Sequence, residues 1–333
     1  MGSQNVLDNY SKWRPGDRKG LYESFFVRGN CVDRILAFWI KFTVFSPKGS
    51  PQDAQGEVWA VYFEGLEGEK VAVKEEYPIK TCLFAADRFE VRVGDARLGD
   101  GTLSGTCASG GARMEWDLRY PTTGTSLHFL PEWAYRTPFP KAKGLAPYPD
   151  VTWGGTLTVN GARVDVTGWK GSQNHNWGEK HTDEYAWGQC STFDGASDTY
   201  AEMMSARLKV GPLWTPYMTF LVLHYKGQDI LFNSVGSIRR ARVSFPNRFE
   251  WHFSTDNGIY QTSCTVVGKK ETFAGLRYRN PPGGEHACLN SKVSSCEIRL
   301  SRDHREMDIL RSTNTTAFEV LTDDPHHGVP MLV

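Results

Sequence analysis

Arg113-Met114-Glu115-Trp116-Asp117-Leu118-Arg119-Tyr120 alternates polar and apolar side chains without a break. A period of two marks a strand with one face in a core and the other in solvent, because a helix would scatter the same four apolar residues around its circumference. Phe89, Val91 and Val93 repeat the pattern, interleaved with Glu90 and Arg92. Working outward, Asn160-Gly161 separates the strand-like runs 156–159 and 162–166, Lys226-Gly227 divides 220–232, and Asn257-Gly258 divides 249–253 from 260–267. Such pairs supply the positive φ angles of two-residue hairpin turns. Nowhere do apolar residues hold an i, i+3, i+4, i+7 pattern for three turns, and 51–55 allows a short helix at most. Aromatic residues make up 13% of the chain, beside 33 Gly and 17 Pro, a composition suited to strands and turns. The expected fold class is all-β, built from antiparallel hairpins.

At roughly 150 residues per domain, 333 residues suggest two domains. Six prolines (Pro121, Pro131, Pro138, Pro140, Pro147 and Pro149) crowd 121–153 and predict a long irregular connection. The expected division is an N-terminal β-barrel-like domain over 1–165 and a C-terminal one over 166–333, with a polar terminus after Ala317.

Lys plus Arg and Asp plus Glu both number 38, so no net field exists to gather nucleic acid. The longest apolar runs fall far short of the roughly 18 residues of a membrane span, and the first twenty residues hold no apolar export core. Seven cysteines without a CxxC pair suit neither a disulfide framework nor a zinc ribbon. These features predict a soluble, cytoplasmic protein. Neither GxGxxG nor a Walker loop occurs, so no nucleotide cofactor is expected.

Chemistry concentrates in 171–189, GSQNHNWGEKHTDEYAWGQ. Extended chain would place His175 with Trp177 on one face and Tyr185, Trp187 and Gln189 on another, joined by a loop, so that one pocket receives all five; Asn174 and Asn176 join them as binding candidates. The alternative is a hydrogen-bonded β corner plugged by Trp. In 199–210, Glu202 falls on the apolar face with Tyr200, Met204 and Leu208, and Glu23 stands likewise between Leu21, Phe25 and Val27. A carboxyl so placed either finds a cation or rises in pKa and persists as a proton donor near pH 7. His175, His181, Asp183 and Glu184 offer a rival reading as metal ligands, weakened by the intervening Gly178 and the lack of recognised ligand spacing, and no metal is expected.

HNWG at 175–178, Tyr-Ala-Trp-Gly-Gln-Cys at 185–190 and the early Tyr22-Glu23-Ser24-Phe25-Phe26 resemble the lipocalin-like family of bacterial carotenoid hydratases, plant-type tocopherol cyclases and related small-molecule cyclases. The resemblance implies two lipocalin-like barrels side by side and cofactor-free protonation, cyclisation or hydration of isoprenoid- or polyketide-like molecules. In the hydratase branch it implies roles for the His and Trp of HNW and for a downstream Tyr-x-Asp. Here the nearest match is Tyr200-Ala201-Glu202, with Glu in place of Asp, and Asn174 stands where the hydratases carry an acid. Catalytic expectations therefore fall on His175, Glu202 and Tyr200, and substrate contacts on Glu23, Asn174, Asn176, Trp177, Tyr185, Trp187 and Gln189. Three functions remain: an isomerising, cyclising or hydrating enzyme without cofactor, a carrier of a hydrophobic ligand, and a metal-assisted hydrolase.

Overall fold

The computed structural model describes residues 8–196 and 198–333. Two consecutive antiparallel lipocalin-like β-barrel domains make up the chain, and every ladder between their strands is antiparallel. In the first, six strands run in the order Ala142–Thr152, Lys170–Gly178, Leu21–Asn30, Leu36–Ser46, Gln55–Glu64 and Glu69–Pro78. A second sheet of seven strands, which contains Ala112–Arg119 and Thr102–Ser109, packs against it. Phe25, Phe38, Ile40 and Phe42 from one side meet Val91, Met114, Trp116 and Leu118 from the other. Each such Phe, fully buried, contributes about 1.5–3 kcal/mol. The alternation over 113–120 is reproduced, with Met114, Trp116, Leu118 and Tyr120 inside and the residues between them facing outward. Asn160 and Gly161 both adopt positive φ in their hairpin turn.

The second domain is one ten-stranded sheet that curls onto itself. Closure is visible in the hydrogen bond from Trp251 Nε1 to Ser205 Oγ (3.1 Å), between strands far apart in sheet order. Its interior holds Leu221, Leu223, Trp251, Phe253, Ile298 and Phe318.

The two domains meet sheet to sheet. Phe26, Trp39, Trp59 and Phe63 of the six-stranded sheet pack on Trp187, Leu276, Tyr278 and Leu321. The six-stranded sheet is therefore covered on both faces, which is why Leu36–Ser46 is buried throughout and shows no alternation.

Three local expectations are corrected. Residues 121–153 are not irregular throughout, since they include the helix Glu132–Arg136 and the strand Ala142–Thr152. That strand accommodates Pro147 and Pro149 because it lies at the sheet edge and its register shifts twice, between Leu145 and Tyr148 and between Tyr148 and Val151. The chain after Ala317 is not a polar terminus: Phe318, Val320 and Leu321 are buried in the strand Arg305–Thr322. Third, Lys170–Gly178, although past residue 165, hydrogen bonds between Ala142–Thr152 and Leu21–Asn30 in the sheet of the first domain.

Gly29 and Gly171 face one another in that ladder and leave room for the Trp153 indole, whose Nε1 donates to Arg28 O (2.8 Å). A Cβ on Gly171 would lie 1.9 Å from Arg28 O and 2.5 Å from Trp153 Nε1. Gly171→Ala is expected to cost at least about 1–3 kcal/mol in urea unfolding. Gly99→Ala, whose nearest new contacts would be at 3.6 Å, serves as the near-neutral control.

Candidate active site

A cavity of about 390 Å³ lies between the facing sheets and under the 127–144 segment. Its apolar wall includes Phe26, Trp39, Phe129, Leu130, Met204 and Phe220. The period of two decides which polar residues reach it. On Glu184–Cys190 the odd positions Tyr185 and Trp187 line the cavity, whereas Gln189, of the same parity, does not; Glu202 pairs with Gln189 on one flank, and Glu319 with Trp187 on the other. On Lys170–Gly178 the even positions Asn174 and Asn176 reach the cavity, opposite Phe26 and Ser24.

Glu202 is 3% exposed. Its Oε1 accepts from Trp187 Nε1 at 3.0 Å and its Oε2 from Gln189 Nε2 at 3.3 Å. Burial raises the carboxyl to about 7, against smaller opposing effects of those two hydrogen bonds and of the Arg28 charge. Near neutrality it exists in both forms and can give up or take a proton.

Gln189 is fixed by a buried hub. Arg28, fully buried, donates from Nε to Gln189 Oε1 (2.8 Å), from Nη2 to Gln189 O (3.0 Å) and Ser191 Oγ (2.7 Å), and from Nη1 to Asn30 Oδ1 (2.7 Å). Gln189 Nε2 donates also to Asn174 Oδ1 at 2.8 Å, and Asn174 Nδ2 to Ser172 Oγ at 2.8 Å. Glu319 accepts from Lys292 Nζ at 2.7 Å and from Asn290 Nδ2 at 3.0 Å. Asn176 Oδ1 is buried without a hydrogen-bond partner among the described residues.

Of the five residues expected in one pocket, His175, Tyr185 and Trp187 line the cavity while Trp177 and Gln189 do not; His175 and Trp177 share a strand face, the one opposite Asn174 and Asn176. Strand Lys170–Gly178 belongs to the first domain's sheet, and its odd positions turn into that domain. His175 stacks on Phe25 (4.2 Å between ring centroids), and its nitrogens contact Asp8 O (2.6 Å) and Glu23 Oε1 (2.9 Å). Trp177 lies beside His175 with the Lys12 ammonium 5.2 Å over its ring. Glu23 faces this side too, accepting from Ser11 Oγ (2.6 Å) and the amides of Lys12 (2.6 Å) and Trp13 (3.0 Å). Burial opposes its ionisation, yet the hydrogen bonds and charge of His175 and the bonds from Ser11 and Lys12 prevail and hold the carboxyl below its usual range. A depressed carboxyl stabilises the fold above its unfolded pKa and loses that contribution as pH falls through the folded value. Glu23→Gln should therefore loosen residues 11–13 at pH 7, read as faster hydrogen exchange of the Lys12 and Trp13 amides, and the difference from wild type should shrink in acid.

Tyr200, the first residue of Glu202's strand, stacks on His224 (4.5 Å, 3°) and does not line the cavity. The four metal-ligand candidates do not converge. His181 stacks on Tyr22 at 3.7 Å, Asp183 accepts from Lys180, Glu184 pairs with Arg207, and His175 lies on the other face. No group of three or more His, Cys, Asp or Glu gathers in ligating geometry among the described residues.

Sequence reasoning missed Arg28, Lys41, Lys292 and Glu319. The available signal was a charge inside an otherwise apolar run, as in Phe38-Trp39-Ile40-Lys41-Phe42 and Ala317-Phe318-Glu319-Val320-Leu321.

The tocopherol cyclase-like family model matches residues 149–321. No curated protein matches the sequence. Among solved structures, a protein described as AttH from Nitrosomonas europaea aligns at 11% identity and TM-score 0.54, over 94% of this chain and 97% of that one. Kievitone hydratase from Nectria haematococca aligns at 9% and 0.54, over 95% and 92%. CghA with Sch210972 aligns at 11% and 0.57, over 92% and 90%. At such identities the likeness is one of fold.

Proposed function

This chain belongs to the tocopherol cyclase-like family, and from that premise we propose that it is a cofactor-independent enzyme that cyclises, isomerises or hydrates a hydrophobic, isoprenoid- or polyketide-like molecule by proton transfer. The observation that carries the reading is the Glu202 carboxyl, buried in an aromatic-walled cavity and raised to about 7. Protonated Glu202 gives its proton to an alkene carbon of the substrate, and the bound carbon skeleton takes the positive charge. Trp187 and the neighbouring Phe26 and Phe220 present π faces and edges that stabilise such a cation. An internal nucleophile, an adjacent C–H bond or a water molecule then resolves it. The proton released in that step returns to the Glu202 carboxylate, so the enzyme ends as it began. Gln189, pinned by Arg28, and Asn174 hold the acid in place. The names of two structural neighbours, a hydratase and a protein bound to a small molecule, agree with this class of chemistry.

In this reading His175 and Glu23 act at a distance, tying residues 8–13 to the strand that carries Asn174 and Asn176. Tyr200 braces the strand of Glu202. Both are positioning roles.

The test is turnover in deuterium oxide with a panel of polyenes and prenylated phenols. The expected product carries one deuterium at the carbon that Glu202 protonates. Ligand retained and recovered unchanged, with no deuterium, would instead make the protein a carrier.

A further inference from the structure

Among the described residues, the buried Lys and Arg side chains of this interface have hydrogen-bonded partners, with one exception. Arg28 makes four hydrogen bonds and Lys292 is paired with Glu319. Lys41 is 5% exposed and lines the same cavity. Among the described residues its ammonium has no carboxylate within 4.0 Å and no hydrogen-bond acceptor. It rests 3.7 Å over the ring of Tyr278 and at 5.5 and 5.7 Å from the rings of Trp59 and Trp39. Two positions earlier on the same face, Trp39 also lines the cavity, and its buried indole N–H has no acceptor among the described residues.

We propose that Lys41 and Trp39 form an anion-binding subsite for the acidic head, a carboxylate or an enolate, of an otherwise hydrophobic substrate. The proposal rests on the reading of the cavity as a substrate site, and it narrows the substrate class from apolar to amphipathic acid.

Magnitudes favour an anionic ligand as the partner of Lys41. Contacts with aromatic faces return about 0.5–2 kcal/mol to a cation, whereas removing an ammonium from water costs several. The nearby carboxylates cannot supply the difference, because each is already engaged. Glu57 is held by Arg279, by Lys74 at 3.4 Å and by Trp59 Nε1 at 3.0 Å. Glu319 is held by Lys292 and Asn290. Burial lowers Lys41 to about 8, with smaller effects from Cys288, Glu57, Glu319 and Lys74, so the ammonium still prevails at pH 7. His181, on the same side of the cavity, is driven well below its usual range by burial and then by Lys41, and contributes no charge of its own. A ligand anion would find a cation and a free N–H, since the carboxylates of Glu57 and Glu319 are held by other donors. Fixing the head at Lys41 would also decide which carbons of the body meet Glu202.

The test compares retinoic acid with retinol, two probes that differ only in the head group, by quenching of tryptophan fluorescence. Wild type is expected to bind the acid at least tenfold tighter, the range of a charge-assisted hydrogen bond. In Lys41→Met the two affinities should converge to within about twofold, with retinol unaffected and the melting temperature not lowered, since an unpaired buried charge has been replaced by an apolar chain of similar shape. Lys41→Arg should keep the preference. No binding of retinoic acid, equal affinities in wild type, or a preference that survives in Lys41→Met would each overturn the proposal. None of these measurements needs turnover, so a failure to incorporate deuterium would sink the enzymatic reading and leave the subsite standing.

Discussion

Glu202→Gln should lower kcat by about 10² to 10⁴, the range that a positioned general acid contributes, with ligand affinity nearly unchanged. The amide keeps the volume and can still accept from Trp187 Nε1, but it has no proton to give. Stability supplies the control. Because the folded carboxyl sits at about 7, above the ordinary 4.5, the native state binds more protons than the unfolded state between those values, and wild type loses stability as pH rises through that window. A shift of that size corresponds to about 3 kcal/mol, and the glutamine variant is free of it. The melting temperature of Glu202→Gln minus that of wild type should therefore increase from pH 5 to pH 8, while activity falls at both. A variant that is less stable at pH 8 and as active as wild type would remove Glu202 from the chemistry. In wild type, kcat should decline above about pH 7 as the acid ionises.

Arg28→Met is expected to give the largest loss of stability. The guanidinium is fully buried, burial lowers it to about 10, and it holds two atoms of Gln189 together with Ser191 and Asn30. Methionine fills much of the space but leaves several acceptors orphaned, at about 1–3 kcal/mol each. The total should be about 3–5 kcal/mol, measured by urea unfolding. Enough folded protein should survive in the cold for a second readout. The Arg28 charge favours the Glu202 carboxylate, so its loss should move the alkaline limb of the pH–rate profile to higher pH. An unmoved limb would mean that the two groups are electrically independent.

Both residues illustrate what a sequence discloses. Parity along a strand is legible: alternation places Glu202 on the apolar face with Met204, and both line the cavity. Parity does not say which sheet a strand joins. His175 and Trp177 share a face, as alternation predicts, but that face turns into the first domain, because the partner of Lys170–Gly178 is Leu21–Asn30, some 150 residues earlier, and no local pattern records that ladder. Turns such as Asn160-Gly161 and half-solvated strands such as Ala112–Arg119 were legible because their rules are local. Leu36–Ser46 and the segment around Glu319 were opaque for the opposite reason. Strands covered on both faces lose alternation, and a charge within them has meaning only once the second sheet is in place.

The ladder between Leu21–Asn30 and Lys170–Gly178 also bears on how the protein is made. On a ribosome the first domain cannot complete its six-stranded sheet when residue 165 emerges, since the strand that joins Leu21–Asn30 to Ala142–Thr152 is still in the exit tunnel. Until Gly178 is out, two strands present open edges, a state prone to pairing with other nascent chains. The following strand, Glu184–Cys190, emerges directly after and carries Tyr185 and Trp187 of the cavity wall. Closure of the first sheet thus precedes the arrival of Glu202 by about two dozen residues of translation, and the cavity is complete only once Glu319 has been added.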